Sequence, residues 1–199
     1  MTRICVALAV FGPLVVPTAA VGQDETFRDE VRQALRYYAG DWTTQAKFGD
    51  EVSEATWSAK WSAEGSCLVV NMTGANLIKK GDEETVTLYG TGIIGWDEVA
   101  KCIKETVFWS NGSTYSATYK KTSPDDVIPA ESTWSGEATG VLYGEEYTEK
   151  VTIERKGREE FVWKAYEFVL GSAKKPDIVV TFSKNVHDVA ENREKLEEA

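Results

Sequence analysis

A single histidine and three cysteines are spread over 199 residues. Imidazole catalysis and His/Cys metal sites need such side chains in convergent sets. His187 stands in a polar tail without a cysteine or a second histidine nearby, so neither a metal nor a histidine base is expected, and no cofactor is. Basic residues are also short: 22 Lys plus Arg against 32 Asp plus Glu give a formal charge of -10. That charge repels a phosphate backbone and argues against a nucleic-acid partner. Proline is scarce, and Pro124, Pro129 and Pro176 all fall at links between elements. No apolar run reaches the ~20 residues of a membrane-spanning helix. Composition does not shift along the chain, so one domain is expected.

What is present begins with a leader. Arg3 is followed by an apolar stretch, Ile4 to Val16, and then by the small residues of Pro17 to Gly22, the three-part plan of a secretory signal peptide. We expect residues 1–22 to be removed, an exported mature chain from Gln23, a barrel domain over residues 23–184 and a weakly helical polar tail over 185–199. Cys5 leaves with the leader.

Phe27, Val31, Leu35 and Tyr38 recur at helical spacing before Gly40, which predicts one short amphipathic helix. From Trp42 the period changes to two. Turn residues then punctuate the chain at Gly49-Asp50, Glu64-Gly65-Ser66, Lys80-Gly81-Asp82, Asp97-Glu98, Asn111-Gly112, Gly144-Glu145, Lys156-Gly157-Arg158 and Lys174 to Asp177. Asn111-Gly112 reads as a type I′ turn. A longer link runs from Thr122 to Ala130. Ala55, Trp57, Ala59, Trp61 and Ala63 alternate with polar residues, so that strand has one buried and one wet face. About ten antiparallel strands in a meander are expected to close into an all-β barrel. A cone-shaped α+β fold needs about three amphipathic helices where the sequence offers one.

Gly40-Asp41-Trp42, opening the first strand after a short helix, resembles the Gly-x-Trp entry of lipocalin-type barrels, in which the tryptophan closes the barrel floor. The layout with "GTGIIGWD" at Gly90 to Asp97 and "VFWSNG" at Val107 to Gly112 resembles a bacterial family of exported lipocalin-like, calycin-like barrel proteins of unknown function. That resemblance implies a lipocalin-like β-barrel and supplies no activity.

Gly90 to Gly95 also spells the dinucleotide fingerprint, whose third glycine must open a helix at the pyrophosphate. A turn and another strand follow here, so the glycines are assigned to a tightly coiled strand. For Cys67 and Cys102, the meander puts both opposite the neighbourhood of Gly95, on its two sides. That separates them by roughly 9.6 Å at a strand spacing of about 4.8 Å, beyond the about 7 Å a disulfide tolerates, and two free thiols are expected.

The candidate site is aromatic. Trp57, Trp61, Trp96, Trp109, Trp134 and Trp163 are spread over several strands and can converge inside a closed sheet, where they suit an apolar or aromatic ligand. Glu105 is in phase with Ile103, Val107 and Trp109. Glu167 is in phase with Trp163, Ala165 and Val169. Each is a candidate lumenal carboxylate, although Phe108, Tyr166 and Phe168 on the opposite faces leave the inward side undecided. The expected function is a monomeric, non-catalytic barrel binding a small hydrophobic or aromatic molecule. The alternatives are a structural barrel with a filled interior, or an isomerase or cyclase working through Glu105 or Glu167.

Overall fold

A computed structural model describes residues 31–75, 86–124 and 129–185. The leader, Phe27, the turn at Lys80 to Asp82, part of the link after Thr122, His187 and the tail beyond residue 185 lie outside the described residues.

The strands are β1 (Gly40–Phe48), β2 (Glu51–Trp61), β3 (Cys67–Ala75), β4 (Thr87–Asp97), β5 (Cys102–Trp109), β6 (Thr114–Lys121), β7 (Thr133–Leu142), β8 (Glu145–Lys156), β9 (Glu160–Leu170), β10 (Ala173–Lys174) and β11 (Ile178–Lys184). Each of β1 to β9 pairs antiparallel with its successor, and β11 lies between β9 and β1. The meander therefore closes into a ten-stranded barrel, with β10 a two-residue extension folded onto the end of β9. Closure satisfies the backbone groups that an open sheet would expose at its edges. The β4 glycines lie within a strand, as their sequence context requires.

Turn chemistry follows the sequence with one exchange of roles. Asn111 keeps negative φ while Gly112 sits at φ 82°. Trp109 and Ser113 close a loop of three residues, and Ser113 N–H donates to Asn111 Oδ1 at 3.0 Å. This is a three-residue hairpin with a left-handed glycine, not the expected type I′ turn. The type I′ conformation occurs instead at Tyr143 and Gly144, both with positive φ (54° and 81°), between the paired residues Leu142 and Glu145.

Inward-facing residues follow the period of two and settle the faces left undecided. Ile103, Glu105, Val107 and Trp109 point inward from β5, and Phe108 outward. Tyr89 and Ile93 of β4 are exposed, opposite Ile94 on the core face. Glycine lets strands approach where the barrel is tight: a Cβ on Gly136 would lie 1.7 Å from the Thr118 carbonyl oxygen. We expect Gly136→Ala to destabilise the fold by about 1–3 kcal/mol through overpacking, read as a lowered urea midpoint; an unchanged midpoint would refute that close approach.

One end of the barrel is filled. Residues 31–35 are helical, and Val31, Leu35 and Tyr38 are buried against it. Trp42 is wholly buried, and its indole N–H donates to the Tyr38 carbonyl at 2.9 Å. Around its ring stand Tyr37, Trp57 and Phe161, with centroids at 6.1, 6.3 and 4.9 Å. Phe161 stacks on Phe182 at 4.1 Å. Arg155, projecting from β8, donates to the Ala34 carbonyl at 3.0 Å and lies over the rings of Tyr37, Tyr38 and Trp134. Cation–π contact of this kind stabilises a desolvated guanidinium and here ties the helix to the wall.

Cys67 pairs with Gly95 and Cys102 with Asp97, on opposite sides of β4, and both thiols are free. Cys102 is fully buried while Cys67 is half-buried. Alkylation of the native barrel is expected at Cys67, with Cys102 protected until unfolding; equal rates at both would contradict the packing of β5.

Candidate functional site

Above the filled end, the lumen holds a cavity of about 330 Å³ that runs from Tyr38 and Phe161 to Ser53, Asn111 and Tyr143 at the opposite rim. Most of its wall is apolar: Ala55, Met72, Ile94, Val107, Val180 and Phe182 face it, among others. Among the described residues, the lining contains two carboxylic acids, Glu105 and Glu149, and no Lys, Arg or His.

Of the expected tryptophans, Trp57, Trp109 and Trp163 line this cavity. Trp109 lies flat on the wall because Gly90 opposite it has no side chain; a Cβ there would sit 2.9 Å from the indole ring. The other three belong to the helix end. Trp96 and Trp134 meet edge to face at 6.4 Å. The Trp96 indole N–H donates to Glu98, and that of Trp134 to Ser132. Trp61 borders a surface recess with Arg32 and Arg36. These three pack against the core at the helix end and do not join the other tryptophans in the cavity.

Glu105 lies on the lumen, which decides the face that the sequence left open. Its Oε2 accepts from the Tyr119 hydroxyl at 2.9 Å, and Trp163 Nε1–H donates to the Tyr119 oxygen at 3.3 Å. Because the one Tyr119 proton is given to Glu105, the short contact between the Tyr115 and Tyr119 hydroxyls is donated by Tyr115. Tyr119 thus gives one hydrogen bond and accepts two, the full capacity of a hydroxyl. Burial pushes the Glu105 carboxyl up to about 7, against the opposing pull of the Tyr119 hydrogen bond. Tyr115 and Tyr119 are held well above the usual phenol range, first by burial and then by the charge of Glu105.

Glu167 is not on the lumen, and the reason is a β-bulge. Thr148 pairs with Val169 and Lys150 with Tyr166, so Glu149 faces two residues of β9, Glu167 and Phe168. Glu167 takes φ 54°. This extra residue reverses the alternation: Glu167 turns outward to an ion pair with Lys150 at 2.7 Å, its side chain 58% exposed, and Phe168 becomes buried against the cavity. The expectation that Glu167 joins the pocket is corrected accordingly.

Glu149, which sequence reasoning missed, occupies the lumen in its place. It is 5% exposed, lines the cavity, and has no hydrogen-bond or ion-pair partner among the described residues. Burial alone pushes its carboxyl up to about 7. Tyr147, two residues before it, donates to the Thr114 carbonyl at 3.2 Å, and burial, then the charge of Glu149, raise its hydroxyl far above the ordinary value. The signal was available, since Tyr147, Glu149, Val151 and Ile153 alternate as regularly as the β5 residues do, and Tyr115, Ala117 and Tyr119 do so on β6.

Chemically, the lumen offers apolar volume, aromatic faces and one polar flank of carboxyl and phenol groups. Among the described residues no cluster of His, Cys, Asp and Glu is arranged to hold a metal ion, and no helix is long and apolar enough to cross a membrane. A comparison with models of known protein families returns no match, and a comparison with curated proteins returns none either.

Proposed function

We propose that this protein is an exported, monomeric, lipocalin-like barrel that binds a small hydrophobic or aromatic molecule in its lumen without transforming it. The observation that carries this reading is the cavity of about 330 Å³, within the about 300–1,000 Å³ of small-molecule sites, with a mostly apolar lining and a few placed polar groups. A filled structural barrel would leave no such space. The leader supports export, and a closed sheet has no edge on which a second copy can add strands.

Native mass spectrometry of the mature protein, purified without detergent from an exporting host, tests this reading. An extra mass that leaves on denaturation is expected, together with quenching of tryptophan fluorescence by apolar probes. Ala46→Trp, which fills the lumen from β1, is expected to abolish both while the barrel stays folded. A clean apo mass with no quenching by any probe would overturn the proposal.

A second reading is favoured by one observation: Glu105, oriented by Tyr119 and titrating near neutrality, has the attributes of a general acid–base. If the barrel is an isomerase or cyclase, Glu105→Gln retains the bound molecule but no longer converts it.

A further inference from the structure

The polar flank of the cavity is one-sided in its chemistry. Glu149 presents a carboxyl group that no described residue hydrogen-bonds or neutralises, although it is 5% exposed. Buried carboxylates are ordinarily paired or hydrogen-bonded, because leaving one unpaired costs several kcal/mol. Two strands away on the same flank, Tyr119 spends its only proton on Glu105. Tyr115 spends its proton on Tyr119 and keeps oxygen lone pairs to offer. The lumenal polar groups beside Glu149 are therefore acceptors in excess, and a ligand that satisfies them must bring donors.

We propose that the ligand is an apolar molecule bearing a cationic amine, whose ammonium group pairs with Glu149 and gives a further N–H to the oxygen of Tyr115. This rests on the reading of the cavity as a ligand site and names the ligand's class. The aromatic faces of Trp109 and Trp163 on the same lumen favour a cation over an anion as well.

Among the described lining residues no cation competes for the position. On β7, Glu149 faces Ala138, flanked on the inward face by Gly136 and Gly140; on β9 it faces the bulge, from which Phe168 points inward and Glu167 outward. Besides Glu149, the titratable groups lining the lumen are Tyr38, Tyr115, Tyr119, Tyr143, Tyr147 and Glu105. Arg155, on the same strand, lies beyond Val151 and Ile153 and is engaged with the helix. Among the described lining residues, an ammonium ion entering the lumen thus meets no positive charge. When it binds a protonated Glu149, the carboxyl proton is released to solvent. Amine affinity is then expected to rise about tenfold from about pH 6 to about pH 8, following the ionised fraction of a group that titrates near 7.

The test compares decylamine, decanol and decanoate, which share a chain and differ in the head group, by titration calorimetry on the full mature protein. Decylamine is expected to bind at least about tenfold tighter than decanol at about pH 8, with decanoate weakest. Glu149→Gln should erase the amine's advantage over decanol. Titration of decylamine at about pH 6 in buffers of different ionisation enthalpy should show nearly one proton released per amine bound, a readout on unaltered protein that does not depend on the variant folding. Equal binding of amine and alcohol, tightest binding of decanoate, or no proton release would overturn the cationic ligand while leaving the apolar site in place. Failure of all three molecules and of neutral aromatic probes to bind would instead overturn the ligand-binding reading itself.

Discussion

Trp42→Ala is expected to lower the free energy of unfolding by about 3–5 kcal/mol, the range for deleting a large aromatic side chain from a packed core. The argument rests on how much meets at this one residue. Its ring is wholly buried among Tyr37, Trp57 and Phe161, and its N–H satisfies the Tyr38 carbonyl at the point where helix gives way to β1. Removal leaves a cavity that the closed sheet cannot collapse to fill, and an orphaned carbonyl beside it. Trp42→Phe, which keeps most of the ring but not the N–H, should cost less than half as much. Urea unfolding followed by far-ultraviolet circular dichroism measures both, and the midpoint should move with little change in slope. A loss below about 1 kcal/mol for the alanine variant would mean that the helix end does not hold the barrel together.

Glu149→Gln is expected to stabilise the protein without ligand by about 2–3 kcal/mol at about pH 8, and to change almost nothing at about pH 4. Burial raises this carboxyl from its ordinary 4.5 to about 7, so the folded state holds a proton that the unfolded chain has already released. Stability contributed by the protonated form is complete below 4.5 and is lost as pH rises through about 7. At 1.36 kcal/mol per unit, the ionised carboxyl costs about 3 kcal/mol above that point. Glutamine, neutral throughout, escapes the cost. Parallel urea titrations of both proteins across this pH range should give a difference that grows and then levels. A difference independent of pH would show that Glu149 ionises as easily folded as unfolded.

How far the sequence could be read depended on whether the information was local. The period of two grouped Trp57 with Ala59, and Glu105 with Ile103, Val107 and Trp109, without deciding which face of β5 is inner, and the turn residues placed nearly every hairpin. Registers followed closely enough to separate Cys67 from Cys102. Failures came where the period breaks or where height along the barrel matters. Nothing in the run Tyr166-Glu167-Phe168 announces a bulge; it becomes visible only against the register of β8. Whether an inward tryptophan meets the cavity or the helix depends on its height in the closed barrel, which pairing alone does not reveal: Trp134 and Trp163 both neighbour Ile153 in register, yet only Trp163 reaches the cavity. The Asn111-Gly112 turn was misread because a left-handed glycine serves a three-residue hairpin as well as a two-residue one.

Filling one end with Trp42, Arg155 and the helix also sets the traffic of the lumen. Among the described residues, arrival and departure share the rim that includes the β1–β2, β5–β6 and β7–β8 turns and the link between β9 and β11, so the interior behaves as a blind vessel and not as a conduit. Narrowing that rim would slow association and dissociation together and leave the equilibrium constant where it was, whereas a change deep in the wall would act mainly on residence time.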